Sequence, residues 1–343
     1  MVFDSIVGHE RILRTLRRAA AEDRLPSSLL FHGPDGVGKR MTAFALAAAL
    51  NCTGAPAEGC GECPACRRIL KGYGETKLKG SDAKRAPGHH ADVLYYPPRR
   101  RQIRIDQVHD LRREAAFRPF EGRRRVFVVD PADRMNREAA NALLKTLEEP
   151  PASACLVLLT SKPGALPATI RSRCQSYRFA PLAPETLAAL LVERGRGEEE
   201  SERLARVAGG SVGNALAIDL AAHDALRERV LVVLEAGPDA DGWLAALGLA
   251  AEAGADAESF EEMGRMLTSV LRDLALVRDG ASSSCLVHAD LAGRLGPLGD
   301  RFGARAPAAI DRLEEAARRV RGNVNPRLAA EAVLLDLVGR TTP

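Results

Sequence analysis

The segment from Leu29 to Arg40, L-L-F-H-G-P-D-G-V-G-K-R, restricts the possible folds of this chain more than any other. A short apolar run is followed by a glycine-rich turn, and an alanine-rich segment with helical character begins near Lys39. Gly33 to Lys39 matches G-x-x-x-x-G-K, the phosphate loop that joins a buried strand to a helix. Glycines let backbone N–H groups approach a phosphate, and the helix N-terminus adds positive potential. The candidate phosphate contacts are Gly33, Gly36, Gly38 and Lys39.

The phosphate loop lacks the residue that normally binds a metal ion. Arg40 follows the lysine, at the position where Ser or Thr holds Mg²⁺. Asp130 ends an apolar run, V-F-V-V, as the acidic residue of a second phosphate-binding motif does, but Pro131 stands where hydrolytic sites carry a glutamate. Loss of a positioned base typically lowers a rate by about 10²–10⁴-fold. The sequence therefore leaves binding of ATP or ADP open, and it argues against Mg²⁺ and against hydrolysis by this chain.

Four of the seven cysteines predict a structural zinc site. Tetrahedral Zn²⁺ takes four thiolates, and closely spaced pairs let tight turns aim the sulfurs at one point. A redox pair formed by Cys63 and Cys66 is the alternative, but it leaves the other two cysteines unexplained. The predicted ligands are Cys52, Cys60, Cys63 and Cys66. The isolated Cys155, Cys174 and Cys285 are interpreted as small core residues.

Strand-like and helical segments alternate up to Phe179, which predicts an α/β fold with a parallel sheet covered on both faces. Beyond Pro181 the pattern is helical throughout. We predict an α/β domain over 1–181 that includes the zinc module at 52–66, a small helical domain over 182–220 and a larger helical domain over 221–343. An amphipathic helix is expected over residues 5–21, and an irregular insertion over 71–90.

Charge and hydropathy indicate which partners and which cellular compartment to expect for the chain. The formal net charge is only +4, but ten arginines and four acidic residues lie between Arg99 and Arg125. This basic run is interpreted either as a solvated surface or as a contact with nucleic acid or an acidic partner. No apolar run is long enough to span a membrane, and charged residues occur near the N-terminus, so a cytoplasmic protein is expected.

Three further segments resemble the AAA+ clamp-loader family. Arg171-Ser172-Arg173-Cys174 contains the family's Ser-Arg-Cys motif, and Phe3 to Glu10 is similar to its N-terminal box. Asn141 to Pro151, N-A-L-L-K-T-L-E-E-P-P, is the third segment. The resemblance implies an AAA+ phosphate-loop domain, a helical lid domain over 182–220 and a C-terminal collar domain for oligomerisation.

The resemblance also implies a role in a five-subunit loader that opens the ring-shaped sliding clamp and places it on primed DNA. The implied partners are the gamma/tau and delta subunits, the clamp and the DNA, in the cytoplasm near the nucleoid, with no membrane and no small-molecule substrate. Arg173 is expected to act in trans as an arginine finger on a neighbour's ATP, and Arg171 is the second candidate. Thr160 matches the first sensor position, and Gly213 stands where motor subunits carry an arginine.

These departures favour a loader subunit that does not itself hydrolyse ATP. Such a subunit would be a component of the DNA polymerase holoenzyme without being an active ATPase. The alternatives are an ATP-hydrolysing motor subunit of the same loader and a phosphate-loop kinase of small molecules. The kinase hypothesis does not explain the four-cysteine loop or the Ser-Arg-Cys motif.

Overall fold

Within the described residues, which are 1–74, 77–80 and 82–339 of a computed structural model, five parallel strands form one sheet. The strands are β1 (Ser28–His32), β2 (Val93–Tyr96), β3 (Arg125–Val129), β4 (Ala154–Thr160) and β5 (Gln175–Arg178). Their order across the sheet is β2-β3-β4-β1-β5, and neighbouring strands pair in parallel. β1 therefore lies between β4 and β5, which brings residues from distant parts of the sequence to one edge.

Helices precede, connect and follow the strands. In the first part of the chain they are α1 (Glu10–Ala21), α2 (Lys39–Asn51), α3 (Pro64–Gly74), α4 (Ile105–Ala115), α5 (Arg137–Glu148), α6 (Ala168–Arg171), α7 (Pro184–Glu193), α8 (Glu198–Val207) and α9 (Val212–Ala217). α5 begins where the Asn136 side chain accepts a hydrogen bond from the Ala139 N–H, the N-cap expected from the sequence.

Both faces of the sheet are covered by helices. Alternate strand residues, such as Phe31 and Val128, pack with residues of α1, α2 and α3 on one face. Their neighbours, such as Leu30 and Phe127, pack with residues of α4, α5 and α6 on the other. β1, β3 and β4 are buried along nearly their whole length, as central parallel strands require. The predicted fold class, a parallel sheet with helices on both sides, is confirmed.

Two predictions about secondary structure in the first unit need correction. The helix predicted over 5–21 begins at Glu10, because Gly8 and His9 have φ values of 74° and 62°, which no helix accommodates. A separate 3₁₀ turn covers Val2–Ser5. In the insertion predicted over 71–90, α3 continues to Gly74; residues 75, 76 and 81 of that segment lie outside the described residues.

The chain divides into two compact units, Met1–Leu216 and a second unit from Ala217 onward. The second unit contains α10 (Leu220–Glu235), α11 (Ala240–Ala253), α12 (Ala257–Arg278), α13 (Ala292–Phe302), α14 (Ala306–Arg321) and α15 (Pro326–Gly339). Its core is a separate apolar cluster that includes Phe260, Leu271 and Leu334. The boundary between the α/β and small helical domains at 181/182 falls inside the first unit, and it stays a prediction.

In the described part of the chain, no helix has both the length and the apolar character needed to cross a membrane.

Candidate functional site

The phosphate loop lies at the carboxyl edge of the sheet, where ligands of such sheets bind. β1 ends at His32, which pairs in register with Thr160 at the end of β4. The Gly33 N–H donates to the Thr160 carbonyl (3.2 Å), and β3 leads directly into Asp130. The sheet order therefore brings together the loop, Thr160 and Asp130, as the sequence analysis expected of a nucleotide site.

A cavity of about 810 Å³ opens beside the phosphate loop. The loop, Asp130 and the ring of Tyr95 line one part of it. Apolar residues of the N-terminal segment and of α7 and α9 line another, namely Ile6, Val7, Leu190, Val212 and Leu216. Small-molecule sites usually have volumes of about 300–1,000 Å³, so the cavity is large enough for a nucleotide.

The glycines of the loop adopt backbone conformations that other residues rarely reach. Gly36 and Gly38 have φ values of 73° and 108°. At Gly33, where φ is 144°, a Cβ atom would lie 2.0 Å from the Phe179 carbonyl oxygen. The pattern G-x-x-x-x-G-K therefore reflects the close approach of backbone segments that the loop requires.

The Lys39 side chain folds back onto the loop. Its Nζ donates to the carbonyl oxygens of Gly33 (2.5 Å) and Pro34 (2.6 Å), and it lies 3.6 Å from the Asp35 carboxylate. Burial lowers the pKa of Lys39, although nearby Asp35 and Asp130 oppose this change. The amine is thus placed at the loop and held by groups that a phosphate oxygen can replace.

Arg40 forms an ion pair where a metal ion would be expected. Its Nε lies 2.5 Å from Oδ2 of Asp130, and the Tyr95 hydroxyl donates to the same oxygen at 2.8 Å. The Arg40 guanidinium also lies over the Tyr95 ring. Burial lowers the pKa of Arg40, but the charge and hydrogen bond of Asp130, together with the nearby tyrosines, outweigh burial and raise the pKa above its ordinary value. The acidic residue of the second motif is therefore occupied by a permanent cation.

Thr160 and Gly213, the two predicted sensor positions, contact other parts of the chain. The Thr160 hydroxyl donates to Oδ1 of Asp133 (2.5 Å) and accepts from the Lys162 N–H (2.9 Å). The Gly213 N–H donates to the Gly36 carbonyl (3.0 Å), and a Cβ at Gly213 would lie 2.9 Å from the Gly36 Cα. The absence of a side chain at position 213 thus allows α9 to pack directly on the phosphate loop.

The four clustered cysteines meet at one point. Cys52 directly follows α2, Cys66 lies in the first turn of α3, and the other two lie in the connecting loop. All four sulfurs lie within 4.8 Å of one another, and Cys52 Sγ is 3.6 Å from Cys60 Sγ and 3.8 Å from Cys63 Sγ. A tetrahedral Zn–S bond length of about 2.3 Å corresponds to sulfurs about 3.8 Å apart. The cluster can bind a metal ion such as Zn²⁺.

Backbone N–H groups surround the sulfurs. The amides of Ala55 and Cys60 approach Cys52 Sγ at 3.2 and 3.3 Å, and the Cys66 amide approaches Cys63 Sγ at 3.4 Å. Burial raises the pKa of the Cys63 thiol, but hydrogen bonds from Cys66 and Thr53 more than offset it and lower the pKa to about 5, whereas burial raises the pKa of the Cys66 thiol above its ordinary value. The donors therefore favour the thiolate at Cys52 and Cys63, the form that binds zinc. A zinc ion bound by all four sulfurs would have no open position for a catalytic water.

The other cysteines are not equivalent to one another. Cys155 and Cys174 are buried, as the sequence analysis expected, and burial raises the pKa of both thiols. Cys285 is exposed, so its interpretation as a core residue was wrong. It lies in a 3₁₀ turn between α12 and α13 rather than on the apolar face of a helix.

Arg173 lies on the surface, two residues beyond the end of α6. Its Nη2 lies 2.8 Å from Oε1 of Glu148, and its Nη1 donates to the Thr169 carbonyl at 3.0 Å. The side chain is 36% exposed. Arg171, the second candidate, lies two residues earlier and is also exposed. The guanidinium of Arg173 is therefore oriented by two groups of its own chain while it stays accessible from outside.

Sequence reasoning did not identify Asp133, Tyr95 and Glu148, the partners of Thr160, Asp130 and Arg173. The position of Tyr95 in β2, on the side of the sheet that faces α2, was a usable signal for its contact with the loop. His9 was also missed, although its Nε2 donates to the Val37 carbonyl of the phosphate loop (2.8 Å). No local sequence pattern indicates the contacts of Asp133, Glu148 and His9.

Much of the basic run between Arg99 and Arg125 is paired within the chain. Arg99 pairs with Asp106 at 2.8 Å, and Arg124 pairs with Asp23 at 2.7 Å. Arg125 is almost fully buried and pairs with Glu114 at 3.0 Å. These contacts are structural, and they leave fewer arginines of the run for a partner.

Comparisons with known proteins give a consistent result. Residues 8–183 match the model of a family described as DNA polymerase III, delta subunit. The tau subunit of DNA polymerase III from Bacillus subtilis is 33% identical over 223 residues, which are 63% of this chain and 37% of that protein. The delta′ subunit from the same organism is 32% identical over 219 residues, 64% of this chain and 60% of that protein. The tau subunit of Escherichia coli is 34% identical over 223 residues, 63% and 32% of the two chains.

The chain thus spans from about a third to three-fifths of the length of these relatives. Among solved structures, this chain is similar to a DNA polymerase III gamma subunit-related protein from Thermotoga maritima. The superposition includes 96% of this chain and 99% of that protein. It has a TM-score of 0.42 and 18% sequence identity.

Proposed function

Because this chain belongs to the DNA polymerase III delta-subunit family of AAA+ clamp-loader proteins, we propose that it is the delta-prime type of loader subunit. In this role it does not hydrolyse ATP, and it supplies Arg173 to the ATP site of a neighbouring subunit while the sliding clamp is loaded onto primed DNA. Its partners would be the gamma/tau and delta subunits, and its place of action the cytoplasm, where the chromosome is replicated.

The proposal depends most on one observation: the groups that hydrolysis needs are replaced in the chain's own phosphate-loop site. Arg40 is bound to Asp130, and Pro131 follows in place of a glutamate. Gly213 contacts the phosphate loop through its backbone and has no side chain to reach a phosphate. Three groups that hydrolysis needs, a metal ligand, a base and a sensing cation, are thus replaced independently.

Arg173 supports the second half of the proposal. A permanently charged, planar guanidinium suits the γ-phosphate of a neighbour's ATP. The ion pair with Glu148 is exposed on both sides, so exchanging this carboxylate for a phosphate costs little free energy. The four thiolates would hold Zn²⁺, which supplies rigidity between α2 and α3.

The test is ATP turnover by the loader assembled from its purified subunits. Arg173→Ala is expected to lower turnover at the pocket that it serves by about 10³-fold or more, so total turnover falls by that pocket's share. Arg171→Ala is the matched control and is expected to retain most of the activity. Normal turnover with Arg173→Ala, together with a loss in Arg171→Ala, would reassign the finger.

The ATP-hydrolysing motor subunit is the alternative, and the isolated chain distinguishes the two. We expect no ATP turnover by the purified chain with Mg²⁺ present, because the metal ligand and base are both replaced. Turnover that disappears in Lys39→Ala would establish the motor function instead.

A further inference from the structure

The phosphate-loop cavity contains a cationic side chain, Arg40, at the place where phosphate-loop sites with Ser or Thr after the lysine bind a metal ion. We propose that this cavity binds a nucleoside di- or triphosphate without any divalent metal, and that the Arg40 guanidinium occupies the position of the ion. This inference rests on the proposed function in one respect, that the chain does not hydrolyse the bound nucleotide.

The residues present do not fit Mg²⁺. This ion requires oxygen ligands in a nearly octahedral arrangement at about 2.0–2.1 Å. Position 40 provides no hydroxyl, and Oδ2 of Asp130 already accepts from Arg40 at 2.5 Å and from Tyr95 at 2.8 Å. The Asp130 side chain is only 12% exposed. Binding of Mg²⁺ would have to break an ion pair that is partly shielded from water.

The charge of the cavity instead favours an anion. Four cationic side chains line it, against the two carboxylates of Asp35 and Asp130. The cations are Lys39, Arg40, Arg134 and Arg194. A polyphosphate therefore meets a net positive wall without the help of a metal ion.

Arg40 can contact a phosphate while it stays bound to Asp130. A guanidinium has five N–H donors, and the bond to Asp130 uses Nε. Both terminal nitrogens can then donate to a phosphate oxygen, and the side chain is 42% exposed. Asp130 and the Tyr95 ring hold the guanidinium in place, as a metal ion would be held by its ligands.

The remaining parts of the cavity fit a nucleotide. The loop amides and the N-terminus of α2 supply donors for phosphate oxygens. Lys39 can exchange its bonds to the Gly33 and Pro34 carbonyls for a phosphate. Ile6, Leu190 and Leu216 provide an apolar wall for the base.

The experiment measures ADP binding to the isolated full-length chain by calorimetry, in buffer passed over a chelating resin and in the same buffer with Mg²⁺. No soluble chelator is used, because it would also remove zinc, and the zinc content is measured in each sample. For the unmodified chain we expect the two Kd values to agree within about threefold. Lys39→Ala is expected to abolish binding.

Variants at position 40 decide whether the guanidinium is responsible. Arg40→Thr is expected to weaken metal-free binding by at least about tenfold, the effect of losing one charge-assisted hydrogen bond. Mg²⁺ should then restore it, because the new hydroxyl and the released Asp130 form a metal site. Arg40→Lys should keep binding independent of Mg²⁺. Arg14→Thr, the same change of charge on the exposed face of α1, should leave both Kd values unchanged.

Three results would overturn the proposal: no ADP binding by the folded, zinc-containing chain, binding that Mg²⁺ tightens more than about tenfold, or an Arg40→Thr variant that stays independent of Mg²⁺. These failures differ from a failure of the proposed function. The arginine-finger test measures turnover on a partner subunit, whereas this experiment measures a ligand bound to the chain alone.

Discussion

Replacing Asp92 by asparagine is expected to destabilise the first unit strongly. The Asp92 carboxylate is completely buried just before β2. Its Oδ1 accepts the N–H of Phe120 (2.7 Å), and its Oδ2 accepts those of Glu121 (2.9 Å) and Gly122 (2.7 Å). One carboxylate thus holds three consecutive amides of the loop between α4 and β3, and it presents the Phe120 ring, which is 89% exposed.

The magnitude follows from how many of these bonds an amide can keep. Whichever way the asparagine is oriented, its NH₂ group faces at least one backbone N–H and leaves it without an acceptor. A buried donor without a partner costs about 1–3 kcal/mol. The neighbouring Arg125, 3.6 Å away, also loses part of its compensation, although Glu114 continues to pair with it. We expect a loss of about 2–4 kcal/mol in the free energy of unfolding.

Calorimetry and hydrogen exchange together test this expectation. For a unit of this size, 1 kcal/mol corresponds to a shift of about 2–4 °C in Tm, and exchange should accelerate in β2 and β3. Asp106→Asn is the matched control, because the Asp106 carboxylate is 38% exposed where it pairs with Arg99, and its loss should cost less than about 1 kcal/mol. Equal Tm values for the two variants would refute the reasoning.

The pH dependence of Asp92 gives a second measure of the same contact. Burial raises the pKa of Asp92, but the three backbone hydrogen bonds outweigh it and hold the pKa below the ordinary value. A depressed carboxyl pKa stabilises the fold at pH values above the unfolded pKa of about 3.9. This contribution is lost as the pH falls through the folded-state pKa. The difference in stability between the unmodified chain and Asp92→Asn should therefore become smaller below about pH 4.

Two other substitutions test the metal site and the contact of α9 with the loop. Cys63→Ser is expected to abolish bound zinc, measured by elemental analysis, and to lower the free energy of unfolding by about 4 kcal/mol or more, whereas the exposed Cys285→Ser should change neither. Gly213→Ala is expected to cost about 1–3 kcal/mol in thermal unfolding, because the new Cβ would lie 2.9 Å from the Gly36 Cα. Gly264→Ala lies in a helix interior, where the new Cβ would meet nothing within 4 Å among the described residues beyond the adjoining backbone of its own helix, and it should instead stabilise the chain by roughly 0.5–1 kcal/mol. Similar Tm changes in the two glycine variants would contradict the packing argument.

Features that depend on residues close together in the sequence were predictable from it. The parallel sheet was predictable because β1, β3 and β4 are buried on both faces and therefore consist of continuous apolar runs. The four-cysteine cluster was predictable because close spacing along the chain already brings three of the sulfurs together. The helix predicted from residue 5 failed at the left-handed residues Gly8 and His9, since glycine and histidine tolerate a positive φ without requiring it.

Contacts across long sequence separations were not predictable in this way. The sequence shows that Arg40 replaces a metal ligand, but 90 residues separate it from Asp130, and their ion pair forms because the order of the strands places β1 two positions from β3. The contacts of Gly213 with Gly36 and of Arg173 with Glu148 likewise depend on how helices pack. Local patterns reflect the burial and backbone preferences of neighbouring residues. The partner of a charged side chain depends on the three-dimensional path of the whole chain, and that path emerges only when all the elements pack together.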